Sequence, residues 1–592
     1  MRSAVAVAPI VLASTVWLAA CSSFPDVDRE ERWPRPERGA VVAEHPLAVQ
    51  VGLEILDRGG NAADAAVATA LALAVVYPKA GNLGGGGFAL FVPHAEGDDR
   101  TTRALDFREV APRELTPELF LEDGELVHER ALYERLGVGV PGSAHGLYTL
   151  HRAYGRLLWR DVVRPAIVLA RSGFAVDAWL AYDLVKYQDK LLKSAGARRV
   201  FYPGGEPLRE GDWLVQADLA ATLEAFASQG PRGFYEGAVA GFLVAEMERG
   251  EPGVLDGEDL RDYASLWREP LRGWFQGMEV ITMPPPSSGG LVLLQVLAIL
   301  EGFPLPSETG RDGEPTARAY HWWIEAMRAS FADRAQHMGD PDHYDVPIDE
   351  LLASDWIGKR RVGIGERANA AIGPWSPEVG LGSADTTHLS VLDEDGNACS
   401  LTTTLNRAFG CGILVRGAGF FLNNQMDDFS IVSGVPNVYG LVGGRANQLA
   451  PGRRPLSSMT PTVLREGGNR VSMVLGSPGG PRIISSVIQI VLRTLVCGQD
   501  LATAVAAPRV HQQWNPKHTW LEPHFPEAAR QDLANRGHAL ERSAERWASI
   551  QAIFLPEAGG DPEVVSDDRR GGAAARQGEE VPPAALPEQG WE

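Results

Sequence analysis

The stretch from Asp385 to Asn406 constrains the fold of this chain more than any other. Leu389 and Val391 alternate with polar neighbours, Asp395-Gly396 is a strong turn pair, and Ala398 to Leu405 is rich in β-branched threonine. That pattern predicts a hairpin whose first strand begins at Thr386. A threonine in a strand is usually there for its β propensity. It gains a chemistry only if the Asp385–Thr386 bond is cut, because the new α-amino group then lies beside the same residue's hydroxyl and can take its proton. An α-amino group titrates at about 7.7 to 8.0, so a useful fraction is unprotonated at neutral pH.

The residues around the hairpin decide between the two readings. Downstream stand Asn423-Asn424-Gln425-Met426-Asp427-Asp428-Phe429, Pro436-Asn437-Val438-Tyr439-Gly440, Arg454-Pro455-Leu456-Ser457-Ser458-Met459-Thr460-Pro461 and Gly476-Ser477-Pro478-Gly479-Gly480. Upstream stand Gly81-Asn82-Leu83-Gly84-Gly85-Gly86-Gly87-Phe88, Leu105-Asp106-Phe107-Arg108-Glu109, Gly139-Val140-Pro141-Gly142 and Met283-Pro284-Pro285-Pro286-Ser287-Ser288-Gly289-Gly290. In this order the motifs resemble the γ-glutamyltranspeptidase (glutathione hydrolase) family of the N-terminal-nucleophile hydrolase superfamily, from about Gly39 to about Leu555.

The resemblance implies an α+β fold, a four-layer αββα sandwich made of two chains from one precursor. Self-cleavage between Asp385 and Thr386 would give a large subunit over 39–385 and a small-subunit catalytic part over 386–556, held together as a heterodimer. Thr386 would take the γ-glutamyl group of glutathione or a related compound as an acyl-enzyme and pass it to water, an amino acid or a dipeptide. Residue by residue, Thr404 matches the hydroxyl that tunes the nucleophile. Asn406, Gln425 and Asp428 match the α-ammonium site, and Arg108, Ser457 and Ser458 the α-carboxylate site. Gly479 and Gly480 match the oxyanion hole, and Tyr439 the gate on a lid over about 433–444. The residue types suit these tasks: a carboxylate and two amides for an ammonium, a planar guanidinium for a carboxylate, and glycine N–H groups for a developing oxyanion. Cephalosporin and glutaryl acylases are the alternative within the fold. An uncut surface lipoprotein that binds peptides is the alternative outside it.

Composition fits a large globular enzyme. The 592 residues are 45% hydrophobic and 22% charged, enough to bury a substantial core. The net charge of −21 argues against nucleic acid and anionic membrane surfaces as partners. Residues 1–20 read as an export signal, with Arg2, an apolar run from Ala4 to Ala20, and a Leu18-Ala19-Ala20-Cys21 ending that resembles a bacterial lipoprotein signal. The expectation is an exported protein on the periplasmic side or at the outer membrane, lipid-anchored at Cys21, with 21–38 as a tether. The lipid would be its only membrane contact.

The remaining motifs are structural on this reading. Cys399, Cys411 and Cys497 lack metal-ligand spacing and are read as buried thiols, although Cys399 and Cys411 are candidates for strand neighbours. His321 and His337 lie far apart in sequence, so no metal site and no cofactor is expected. Helices are predicted from His45 to Leu56 and from Ala62 to Val76, the second capped by Asn61. Gly84 to Gly87 lead into a strand without a following Gly-Lys-Ser/Thr, which favours close backbone packing over phosphate binding. Residues 363–384 read as an exposed linker to the cleavage point. Residues 557–592 are rich in Ala, Pro, Gly and charge and are predicted to be disordered, although Asp567 to Gly572 loosely resembles the family's terminal element.

Overall fold

A computed structural model describes residues 35–94, 101–250, 253–369, 385–467, 470–556 and 560–586. The export signal and Cys21 lie outside the described residues, as does 370–384 of the expected linker. Among the described residues no helix is long and apolar enough to cross a membrane.

The strands of the two large sheets are, in chain order, β1 (Ala40–Ala43), β2 (Gly86–Val92), β3 (Arg103–Phe107), β4 (Leu266–Arg268), β5 (Leu271–Phe275), β6 (Met278–Thr282), β7 (Thr386–Leu392), β8 (Ala398–Thr404), β9 (Thr462–Glu466), β10 (Arg470–Gly476), β11 (Gln551–Phe554), β12 (Glu563–Ser566) and β13 (Ala573–Arg576). One sheet runs β13-β1-β7-β8-β2-β3-β4 and the other β12-β11-β10-β9-β6-β5. The predicted hairpin is the centre of the first sheet, with Thr386 paired opposite Thr404.

The helices that cover the sheets are α1 (Pro46–Asp57), α2 (Ala62–Val76), α3 (Ser143–Tyr154), α4 (Gly289–Leu300), α5 (Ala317–His337), α6 (Arg482–Leu495) and α7 (Glu527–Asn535). Helix α2 starts where Asn61 and Asp64 form a reciprocal capping box, and its alanine-rich sequence is buried on every side. Small side chains let it lie close against β7 and β8, where Leu389, Val391 and Leu401 share its core. On the far side α4 and α6 cover the second sheet, packing on β5 and β10. Between the sheets Val42, Leu392 and Ala398 meet Ile281, Val463, Val474 and Ile553. Helices, sheet, sheet and helices make the four-layer αββα order.

The hairpin's alternation has an unexpected basis. An alternating strand usually turns its polar face to water, yet every residue of β7 and β8 is buried. The polar face looks at the second sheet and is satisfied there. Ser390 Oγ donates to Gln551 O at 2.9 Å, Ser400 Oγ donates to Leu475 O at 3.1 Å, and His388 Nδ1 lies 2.8 Å from Thr402 Oγ1. Burial alone pushes His388 down to about 3, so this imidazole is neutral.

The disordered-tail expectation is corrected by the structure. β12 and β13 close one edge of each sheet, β13 pairing with β1 and β12 with β11. Composition misled because the tail's charges are spent inside. Arg569 donates to Glu522 and Asp567, and Arg509 donates to Asp567 at 2.6 Å, with Asp567 and Glu522 side chains fully buried. The N-terminal edge also begins earlier than expected, since Arg38 Nε donates to Asp561 Oδ1 at 2.8 Å and Pro36 bridges to Gly560. The three cysteines are buried free thiols.

Candidate active site

Thr386 opens β7 and Thr404 closes β8, so the hairpin register alone puts their hydroxyl oxygens 3.2 Å apart. Thr404 Oγ1 also donates to the Asp385 carbonyl at 3.2 Å and accepts from Asn406 N at 2.9 Å. The carbonyl of the bond expected to break is therefore hydrogen-bonded by the same group that contacts the attacking hydroxyl. Close approach of β2 supports this corner. A side chain at Gly85 or Gly87 would strike the carbonyls of Thr404 and Thr402 at 2.0 and 2.2 Å, which only glycine avoids.

A narrow pocket opens at Thr386 and gathers Thr404, Asn406, Gln425, Asp428, Arg108, Ser457, Ser458, Tyr439 and Gly480. Arg108 follows β3 directly and is fully buried. Its Nη2 donates to Asp428 Oδ2 at 2.5 Å and its Nε to Pro455 O at 3.2 Å. Gln425 Nε2 donates to the same Asp428 oxygen at 2.7 Å. One guanidinium, one carboxylate and one amide thus meet at a point. Burial raises the adjacent Glu109 carboxyl to about 7 despite the Arg108 charge.

The Ser457-Ser458 segment is held by the earlier Pro-Ser-Ser-Gly motif. Ser288 donates to Ser457 O through both its N–H, at 2.8 Å, and its hydroxyl, at 2.6 Å. Gly479 and Gly480 have φ of 129° and 57° and lead into α6. A Cβ on Gly479 would meet Ala548 Cβ at 2.9 Å, so the turn has no room for a side chain. Tyr439 is buried rather than free, and its hydroxyl lies 2.8 Å from both oxygens of Asn406. Gln513 and Asn437 hold the Tyr439 backbone, and Val438 N donates to Asp427 at 3.3 Å. Through these bonds the 433–444 segment lies over Asn406.

One residue of the pocket wall, Arg334, and two residues that support it or the neighbouring loop, Ser288 and Asp427, escaped the sequence reading. Arg334 on α5 lines the pocket, donates through Nε to Ser288 Oγ at 2.8 Å and lies 3.5 Å from Ser458 Oγ. Among the described residues no carboxylate pairs with it, and burial lowers its guanidinium to about 10. Ser288 and Asp427 stood in motifs that were noticed but given no task. Arg334 carried no local signal, because α5 also buries His321, Glu325, Arg328, Ser330 and Asp333 among its apolar side chains.

A strand-initial threonine at the centre of an αββα sandwich, facing a pocket with paired charges, defines the N-terminal-nucleophile hydrolase class. The γ-glutamyltranspeptidase family model matches residues 48–577. The glutathione hydrolase proenzyme of Escherichia coli (strain K12) is 41% identical over 546 residues, covering 90% of this chain and 92% of that protein. The crystal structure of a cephalosporin acylase from Bacillus halodurans superposes with a TM-score of 0.78 at 30% identity, covering 91% of this chain and 96% of its own. Helicobacter pylori γ-glutamyltranspeptidase gives 0.51 at 38% identity, over 54% of this chain and 90% of its own. The chain belongs to the γ-glutamyltranspeptidase family.

Proposed function

We infer that this chain is a self-processing γ-glutamyltransferase and glutathione hydrolase in which Thr386 performs both the cleavage and the transfer. In the precursor the Thr386 hydroxyl attacks the Asp385 carbonyl, the acyl group shifts from nitrogen to oxygen, and water opens the ester. The freed α-amino group then serves as base for the same hydroxyl. In the second reaction Thr386 Oγ1 attacks the γ-amide carbonyl, the tetrahedral oxyanion takes the N–H groups at Gly479 and Gly480, and the leaving amine departs with a proton. Water or an amino acid then accepts the γ-glutamyl group.

The observation that carries the reading is the Arg108–Asp428 pair beside Thr386. A head group bearing ammonium and carboxylate on one carbon offers each of the two a partner of opposite sign. Asp428, Gln425 and Asn406 take the ammonium, while Arg108, Ser457 and Ser458 take the carboxylate. Anchoring both ends fixes which carbonyl reaches the hydroxyl. Tyr439 closes the lid by its bonds to Asn406. An acyl side chain without the amino-acid head group, as in cephalosporin or glutaryl substrates, would leave those charges unanswered.

The test is intact-mass and N-terminal sequencing of the purified protein, followed by assays on glutathione and on glutaryl-7-aminocephalosporanate. A small chain beginning at Thr386 and a kcat/KM at least about 100-fold in favour of glutathione are expected. A preference for the glutaryl substrate would transfer the assignment to the acylases, and a chain that stays whole would favour the peptide-binding lipoprotein.

We also propose export and lipid anchoring at Cys21. The support is the Leu18-Ala19-Ala20-Cys21 sequence. Labelled palmitate should enter the wild-type protein and not Cys21→Ser. Label in the variant would point to another attachment.

A further inference from the structure

We propose that His321, Glu325 and His538 bind a divalent transition metal, zinc by preference, and that the ion joins the two chains of the processed enzyme. His321 and Glu325 stand one turn apart on the inner face of α5, and His538 follows α7. All three are nearly inaccessible, at 0%, 2% and 5% exposure. One donor atom from each lies within 4.8 Å of the others, and among the described residues this is the one such His, Cys, Asp or Glu group.

The hydrogen bonds orient the donors inward. His321 Nε2 is 2.8 Å from Gly365 O, so it carries the proton and leaves Nδ1 as the bare nitrogen. That nitrogen accepts from His538 Nε2 at 2.8 Å, which makes His538 Nδ1 bare in turn. Glu325 Oε2 accepts Asn369 N at 3.1 Å, leaving Oε1. His538 Nδ1 and Glu325 Oε1 then face each other at 3.8 Å; among the described residues His538 Nδ1 has no hydrogen-bond partner, while Glu325 Oε1 has the Arg328 guanidinium beside it, Nε at 3.2 Å. A buried imidazole nitrogen with no donor, aimed at a carboxylate oxygen, is costly. A cation between them satisfies both.

The chemistry of the set suits zinc. Two imidazoles, which are borderline donors, and one hard carboxylate oxygen form a set that zinc accepts, and water completes a tetrahedron. Zinc bonds of about 2.0 to 2.2 Å require the His538–Glu325 gap to close by only a few tenths of an ångström. His321 becomes the third ligand when its Nδ1 exchanges the His538 proton for the ion. A histidine ligand whose other ring nitrogen donates to a backbone carbonyl is the usual outer arrangement. Arg328 opposes the site, with Nε 3.2 Å from Glu325 Oε1. Its charge lowers the affinity but also fixes the carboxylate from outside, as an outer-shell donor does.

His321 and Glu325 precede the Asp385–Thr386 bond and His538 follows it. The joining role rests on the self-cleavage reading, whereas the binding itself does not. Tag-free wild type, the uncut Thr386→Ala chain, His538→Gln and His321→Gln are stripped with a chelator, dialysed, and titrated with Zn²⁺ by calorimetry and with Co²⁺ by visible absorption. One ion per precursor equivalent and a tetrahedral Co²⁺ spectrum are expected for wild type and Thr386→Ala, with both lost in the two histidine variants. Those variants should still self-cleave, which certifies their fold. Zinc should raise the urea concentration at which the two wild-type chains separate and leave His538→Gln unmoved. No stoichiometric uptake by wild type overturns the proposal, as does unchanged uptake by either histidine variant. A wild type that binds zinc but stays uncut keeps the site and removes only its joining role.

Discussion

The hydroxyl of Thr404 sits 3.2 Å from that of Thr386 and also 3.2 Å from the Asp385 carbonyl oxygen, which accepts its proton. One side chain can therefore polarise the carbonyl during self-cleavage and contact the nucleophile afterwards. Loss of one donor to a developing oxyanion typically costs on the order of 100-fold or more. Thr404→Ala should slow the appearance of the Thr386-initiated chain by about that factor, and Thr404→Ser should restore most of it. A time course of precursor decay on gels decides. Equal processing in Thr404→Ala would remove this residue from the reaction.

Arg570 holds the other side of the cleavage point, with Nη1 at 3.2 Å from Asp385 Oδ1. Both side chains are largely buried, at 14% and 3% exposure. Removing one partner of a buried pair leaves an uncompensated charge worth about 3 to 5 kcal/mol. Arg570→Met should retard self-cleavage and lower the unfolding midpoint. Asp385→Asn combined with Arg570→Met should cost less than the sum of the two. Strictly additive losses in a double-mutant cycle would mean that the pair does not couple.

The hairpin, the capped helix α2 and the order of the motifs were legible because local rules decide them: alternation, a turn pair, an Asn cap. The tail was not. Ala573 to Arg576 has no strand signature beyond small residues, and it becomes a strand because β1 offers an open edge. The burial of Asp567 and Arg569 depends on Arg509 and Glu522, which lie dozens of residues away. The sequence showed His388 and Ser390 only as polar neighbours of Leu389 and Val391; that they meet a second sheet is a fact of tertiary packing that no strand-level pattern contains. Arg334 was invisible for the same reason, since its task is defined by Ser288 and Ser458.

Asp427, which accepts Val438 N, gives the fold a dependence on pH. Burial, with the Asp428 charge next, raises its carboxyl to about 7. An unfolded aspartate ionises at about 3.9, so between these values the folded chain holds a proton that the unfolded chain has released. The stability tied to this group is full below about pH 4 and is lost as pH rises through 7. In Asp427→Asn that slope should vanish, while the amide oxygen still accepts Val438 N. Urea unfolding of both proteins from pH 4 to 8 should show a wild-type minus variant difference that falls across this window and then levels. A constant difference would contradict it.

Arg334 and Arg108 divide the carboxylate side of the pocket unevenly. Arg108 is engaged by Asp428, Glu109 and two carbonyls, whereas Arg334 has, among the described residues, only hydroxyl partners at Ser288 and Ser458. Its charge is the less compensated of the two, and on the proposed function it would act on the substrate's α-carboxylate through Ser458. A hydrogen bond to a charged group is worth about 1.5 to 3 kcal/mol, or roughly 10- to 150-fold. Arg334→Gln should therefore lower kcat/KM for γ-glutamyl-p-nitroanilide by that range, mainly through KM. The analogue with an α-carboxamide should be nearly unaffected, because it never presented the charge that Arg334 answers. If both donors lose activity equally, Arg334 serves only to hold Ser288 in place, and the carboxylate's counter-charge must come from Arg108 alone.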